Sequence, residues 1–207
     1  MAFACVAAPT VSEDFRARLA PEWKWEREHA EAWRLSSNGL EILIEPGNMW
    51  GSQNDARNVL IHAAPDPAAG SVEVSLLVEN HPTNQYEQVD LTWYYNDSNM
   101  VKIGEELVDG KLSIVMGREE NDHTKTINIT PINFNQVHLK LIVTDNQIEG
   151  FYKNPAKSEW RKAGQCDLPA HGSMPGQISL QCYQGKEGVE HWARITNFEI
   201  KAGTNRP

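Results

Sequence analysis

The chain has 207 residues, a formal net charge of -9, and a composition that is 40% hydrophobic and 23% charged, which describes one ordinary globular domain. That charge argues against a nucleic-acid partner, because phosphate binding needs a basic stripe and none is present. No apolar run reaches the roughly 18 residues that a membrane-spanning helix needs.

Residues 1–11 open with MAFACVAAP, which is apolar but lacks a basic start and is too short for a complete signal peptide. We read the segment as a disordered stretch, a trimmed leader or an expression scar. Unless it is a trimmed leader, the expected compartment is the cytoplasm. The folded domain is expected over 12–202, with 203–207 as a tail. Cys5, Cys166 and Cys182 are an odd set without metal-like spacing. A bridge between Cys166 and Cys182 competes with the favoured reading of two buried free thiols.

The ordered part begins at Ser12-Glu13-Asp14-Phe15, and Trp23, Trp25 and Trp33 follow within eleven positions. Buried indoles dominate the energetics of small domains, so these three are expected at an edge of the core, with stacking on a sugar as the sharper alternative. Leu40 to Ile44 reads as a strand ended by Pro46-Gly47. The polar loop Met49 to Asn58 carries Trp50, either a binding platform or a lid. Val59 to His62 is a further strand. In Ser71 to Glu79, Val72, Val74, Leu76 and Val78 alternate inward.

The stretch Asn84 to Gly110 reads as two strands joined by the Asn96-Asp97-Ser98-Asn99 turn. Alternation places Val89, Leu91, Trp93 and Tyr95 in the core, and Gln88, Asp90, Thr92 and Tyr94 on the other face. If the strands pair as a hairpin, Lys102 and Glu106 join Asp90 and Tyr94. Gly104 between them predicts an open spot where a ligand approaches the backbone. Leu112 to Met116 continues the pattern, Arg118 to Lys125 reads as a charged hairpin tip, and Thr126 to Thr130 is a short strand. Val137 to Val143 turns His138 outward. Ile148 to Tyr152, Ile178 to Tyr183 and His191 to Lys201 complete the strands. About a dozen short strands without an amphipathic helix predict an all-β, two-sheet antiparallel jelly-roll sandwich, one sheet of which presents a concave face.

Several motifs fall in a familiar order: paired tryptophans, Tyr86-Glu87-Gln88-Val89-Asp90-Leu91, Lys102-Ile103-Gly104-Glu105-Glu106, and Ala193-Arg194-Ile195-Thr196-Asn197-Phe198-Glu199-Ile200. From Asp14 to about Lys201 the chain resembles the concanavalin A-like lectin/glucanase superfamily. The branch concerned is related to the yeast regulator of enolase and to the C-terminal domain of bacterial beta-xylosidases. The superfamily contains enzymes, lectins and accessory domains. Its retaining glucanases carry Glu, Asp and Glu at alternate positions of one strand. Here Glu87 and Asp90 have opposite parity, which speaks against that machinery. In the beta-xylosidase relatives the domain assists a separate catalytic propeller. The resemblance also suggests a structural calcium near the chain ends, with Asp14 and Glu199 as donors, although no dense Asp and Asn loop is present. No other cofactor is expected.

Sugar recognition needs a flat aromatic and planar polar groups. Trp50, Tyr94, Tyr183 and Trp192 offer the first; Gln88, Gln181 and Arg194, with Asp90, Lys102 and Glu106, offer the second. The leading expectation is carbohydrate binding on the concave face. One rival is a glycoside hydrolase or lyase using Asp90, Lys102 and Glu106, with Lys102 or His138 as base. Another is a protein-interaction domain. A structural ion pair of Lys102 with Asp90 or Glu106 is compatible with each.

Overall fold

The computed structural model describes residues 10–203. The leader segment up to residue 9, Cys5 and the end of the tail lie outside the described residues. The strands are β1 (Thr10–Glu13), β2 (Lys24–Glu26), β3 (Trp33–Ser36), β4 (Gly39–Leu43), β5 (Val59–Ala63), β6 (Val72–Glu79), β7 (Gln88–Asn96) and β8 (Asn99–Val108). They continue as β9 (Lys111–Glu120), β10 (His123–Pro131), β11 (Gln136–Thr144), β12 (Gln147–Lys153), β13 (Arg161–Asp167), β14 (Gln177–Tyr183) and β15 (Trp192–Ala202). A single 3-10 turn, Ala30–Ala32, is the one helical element among the described residues.

Two antiparallel sheets face each other. One runs β13-β12-β11-β6-β15-β4-β3; β15 is long enough for its first half to pair β4 and its second half to pair β1. The other runs β10-β9-β8-β7-β14-β5-β2. The fold is an all-β jelly-roll sandwich. Alternation explains which side of each strand is inside: in β6 Val72, Val74, Leu76 and Val78 are buried, and their intervening neighbours are half-exposed. They share one core with Val89, Leu91 and Trp93 of β7 and with Leu139 and Leu141 of β11. Trp23, Phe15, Phe198 and His62 form an aromatic knot at the sheet edges, with Trp23 4.8 Å from Phe198 and 4.9 Å from His62 between ring centres. Trp25 and Trp33 pack on each other at 4.9 Å. The three early tryptophans thus pack the core and its margin.

Two sequence expectations shift. The first strand begins at Thr10, inside the segment read as leader, because its backbone finds partners along β15. The charged stretch Arg118 to Lys125 is mostly strand, with β9 and β10 turning through Asn121 and Asp122, both at positive φ. That two-residue turn suits the twist of paired strands, and Asp109-Gly110 repeats it between β8 and β9. Cys166 and Cys182 are free thiols, and burial pushes the pKa of each up, to about 11 for Cys166.

Candidate functional site

β7 occupies the middle of the seven-stranded sheet, flanked by β8 and β14. The register sets Gln88 opposite Glu106, Asp90 opposite Gly104 and Thr92 opposite Lys102 on one side, and Tyr183, Gln181 and Ser179 opposite the same three on the other. One face of the sheet therefore carries a polar patch built from three strands. Lys102 is its hub. The ammonium bonds the Gln88 side-chain oxygen, lies 3.4 Å from Asp90 Oδ2, 3.3 Å from the Tyr183 hydroxyl and 3.5 Å from Glu106 Oε2, and sits 4.9 Å from the centre of the Trp50 ring.

Gly104 does not leave the open spot expected of it. Its missing side chain is replaced by the Asp90 carboxyl, with which an added Cβ would collide. The glycine is needed to seat a charge on the sheet, which corrects the expectation of ligand approach at that point.

Two carboxylates share one ammonium. Burial raises the pKa of Asp90, and the neighbouring Lys102 opposes the rise. Glu106 is raised for the same reason, with Asp90 adding like-charge repulsion. Asp90 is sealed, with a relative exposure of 1%, whereas the Glu106 side chain keeps 10%. Of the pair, Glu106 is the group solvent can reach.

The loop 46–58 lies on the same face. Met49 is fully buried there in a cluster with Tyr94, Met100, Tyr183, Val59 and Ile61, and Trp50 rests on Gly117, where any side chain would collide with its indole. The loop is tied down at several points, among them the Gln184 amide donating to the Gly47 carbonyl at 3.2 Å and the His29 amide donating to Asn58 Oδ1 at 2.7 Å. Arg27 donates from Nε to the Ala56 carbonyl at 2.7 Å and pairs with Asp97 at 2.7 Å, and the Tyr94 hydroxyl donates to the same carboxylate at 2.7 Å. The Gly51 amide donates to Glu119 Oε2 at 3.1 Å; burial still pushes the Glu119 carboxyl up to about 7. Beside the loop a cavity of about 510 Å³ opens to solvent. Trp50 and Tyr86 contribute aromatic surface, Gln88, Lys102 and Glu106 contribute polar surface, and Asp109, Thr126 and Ile129 are also among its lining residues.

The predicted site residues separate into three groups. Trp50, Gln88, Lys102 and Glu106 meet at the cavity. Asp90, Tyr94, Gln181 and Tyr183 share the face but are covered, because the Met49 loop and the surrounding side chains fill the space above them. His138, Trp192 and Arg194 belong to the other sheet, which corrects their assignment to this face. His138 meets Trp160 edge-on at 6.2 Å, and burial lowers its pKa. Arg34 covers the Trp192 ring at 4.2 Å, and Arg194 bonds Glu79 at 2.9 Å. Alternation tells inside from outside without telling one sheet from the other.

Glu87 points away from Asp90: it is buried, paired with His191, and accepts the Thr83 and Asn84 amides at 2.9 and 3.0 Å. No cluster of three or more His, Cys, Asp or Glu groups able to hold a metal occurs among the described residues, and Lys201 engages Glu199 at 2.6 Å. Tyr86, half-exposed and at positive φ just before β7, joins the cavity lining without any sequence pattern that singles it out.

A two-sheet antiparallel jelly roll in which side chains from strands 88–96, 99–108 and 177–183 form a polar patch on one sheet places the protein in the concanavalin A-like class. More narrowly, residues 12–200 match the family of beta-xylosidase C-terminal concanavalin A-like domains, and the chain belongs to that family. Among solved structures, the GH43 BlXynB protein from Bacillus licheniformis aligns with TM-score 0.80 at 17% identity over 93% of this chain and 39% of that one. A xylan beta-1,4-xylosidase from Bacillus halodurans aligns with TM-score 0.78 at 15% identity, over 92% and 38%. A functionally unknown protein from Saccharomyces cerevisiae aligns with TM-score 0.69 at 10% identity, over 89% and 98%. These likenesses carry the fold. The chain spans about two fifths of the length of the two Bacillus proteins. Curated proteins give no match.

Proposed function

We propose that the protein binds a saccharide in the cavity beside Trp50. The observation that carries this reading is the juxtaposition of Trp50 and Tyr86 with Gln88, Lys102 and Glu106 around one cavity. The apolar face of a sugar ring suits an aromatic plate, and its hydroxyls suit groups that donate and accept side by side. Lys102 is offset by its two carboxylates, so the polar surface suits a neutral polyol better than a strongly charged ligand. Membership of a domain family attached to beta-xylosidases points to plant-wall saccharides, and β-1,4-xylan is the first probe.

A hydrolase needs two carboxyls in reach of the substrate. With Asp90 sealed beneath the surface, the carboxyls left at the cavity are Glu106, beside Lys102, and Asp109, bonded by Gln85; we read this set as one for binding, with turnover as the rival the test decides. The test is a glycan array including xylo-oligosaccharides, run beside a glycosidase substrate panel, on the parent and on Glu106→Gln. Binding without turnover, weakened about tenfold by the substitution, is expected, since tenfold corresponds to about 1.4 kcal/mol, the scale of one charge-assisted hydrogen bond. Turnover abolished by Glu106→Gln overturns the binding-module reading.

A further inference from the structure

The cavity crosses the sheet from Gln184, just past β14, over Gln88 on β7 and Glu106 on β8, to Val115 on β9 and Ile129 on the edge strand β10. Its two ends differ in chemistry. Charge is confined to Lys102 and Glu106 of β8 and to Asp109 in the turn that follows, whereas β9 and β10 contribute Val115, Thr126 and Ile129. Val115 and Ile129 are direct cross-strand partners, and Gly104, opposite Asp90 on one side, stands opposite Val115 on the other. A bulge brings Ile129 to this face. Between Thr126 and Asn128 the register of β10 slips, so Ile127 packs into the core while Ile129, two positions on, comes out beside the cavity. Unbroken alternation would set both on one side. Of the five large apolar side chains exposed among the described residues, two line this cavity, Ile129 at 44% and Tyr86 at 50%.

We infer that the cleft reads two parts of one ligand: hydroxyl groups over β7 and β8, and an apolar group carried by the saccharide, as an ester or an aglycone, over β9 and β10. The inference rests on the saccharide reading given above. Hydroxyls laid on Val115 and Ile129 find no hydrogen-bond partner in those side chains, whereas an apolar group takes their surface and its own out of water. A carboxylate substituent finds no cation among the lining residues of that half, so the apolar end refuses charge as well.

The experiment measures affinity by calorimetry for methyl and 4-nitrophenyl β-xylotriosides, and for O-acetylated xylo-oligosaccharides before and after removal of their esters. Within each pair the sugar is the same; the first pair tests an aglycone and the second an ester. For the parent, the apolar form in at least one pair is expected to bind about tenfold more tightly. In Ile129→Ser, at an exposed position on an edge strand, that ratio is expected to fall toward one. Glu106→Gln is expected to weaken both members of the pair alike and to keep the ratio. Ratios of one in both pairs, with binding intact, overturn the apolar half and leave saccharide binding standing. A ratio that Ile129→Ser leaves unchanged overturns the placement on β9 and β10, and one that Glu106→Gln abolishes overturns the division of the cleft. Absence of binding by all four ligands overturns the saccharide reading and this inference with it.

Discussion

Gly104 lies directly across the ladder from Asp90, and the Asp90 carboxyl fills the volume that a side chain on Gly104 would need. A charged group is thereby seated within the sheet surface, close enough to Lys102 for the pair to neutralise each other at 3.4 Å. Gly104→Ala drives its Cβ into that carboxyl and to 2.7 Å from the Val89 carbonyl oxygen, which is backbone and cannot swing away. The expected cost is about 1–3 kcal/mol, the usual range for overpacking, read as a lower urea midpoint. An unchanged midpoint would show that the carboxyl has room to move.

The Lys102–Asp90 pair is almost wholly buried, with side-chain exposures of 3% and 0%. Removing one partner strands the other in low dielectric, so Lys102→Met is expected to destabilise by about 3–5 kcal/mol, and adding Asp90→Asn to recover most of the loss. A urea-unfolding double-mutant cycle measures the coupling. Strictly additive single effects would contradict the pairing.

Glu105 follows the opposite parity into the core, where it is fully buried and neither carboxylate oxygen has a protein partner. Burial pushes its pKa up to about 9 from an ordinary 4.5. Between those values the folded state holds a proton that the unfolded chain has released, so stability is full below the unfolded pKa and declines as pH rises toward 9. The contribution approaches about 1.4 kcal/mol per pH unit over that window. Glu105→Gln is expected to flatten the decline, making the variant the more stable protein at pH 8 and nearly its equal at pH 5. Parallel stability curves for the two would exclude a buried neutral acid at this position.

Much of this was legible in the alternation of apolar residues. Val72 to Val78 and Val89 to Tyr95 announce their buried faces, and the parity of Gln88, Asp90, Tyr94, Lys102 and Glu106 correctly places them together. Depth was not legible, because it depends on a loop from elsewhere in the chain: Met49 covers Tyr94, more than forty positions away, and no local pattern announces that. Nor was sheet membership. His138 and Arg194 alternate as Lys102 does, but their strands pair with β6, and long-range pairing is set by the whole core instead of by the strand itself. Gly104 carried the right signal of close approach and the wrong partner, a neighbouring carboxylate instead of a ligand.

The central claim is that a saccharide docks against Trp50 on the seven-stranded sheet. The chain has seven tryptophans, whose indole N–H groups give separate nuclear magnetic resonance signals, with Trp50 assigned through Trp50→Phe. Titration with xylo-oligosaccharide is predicted to move the Trp50 signal with saturation while those of Trp160 and Trp192, on the far side of the sandwich, stay fixed. Saturable movement of Trp160 or Trp192 with Trp50 unmoved would contradict the account.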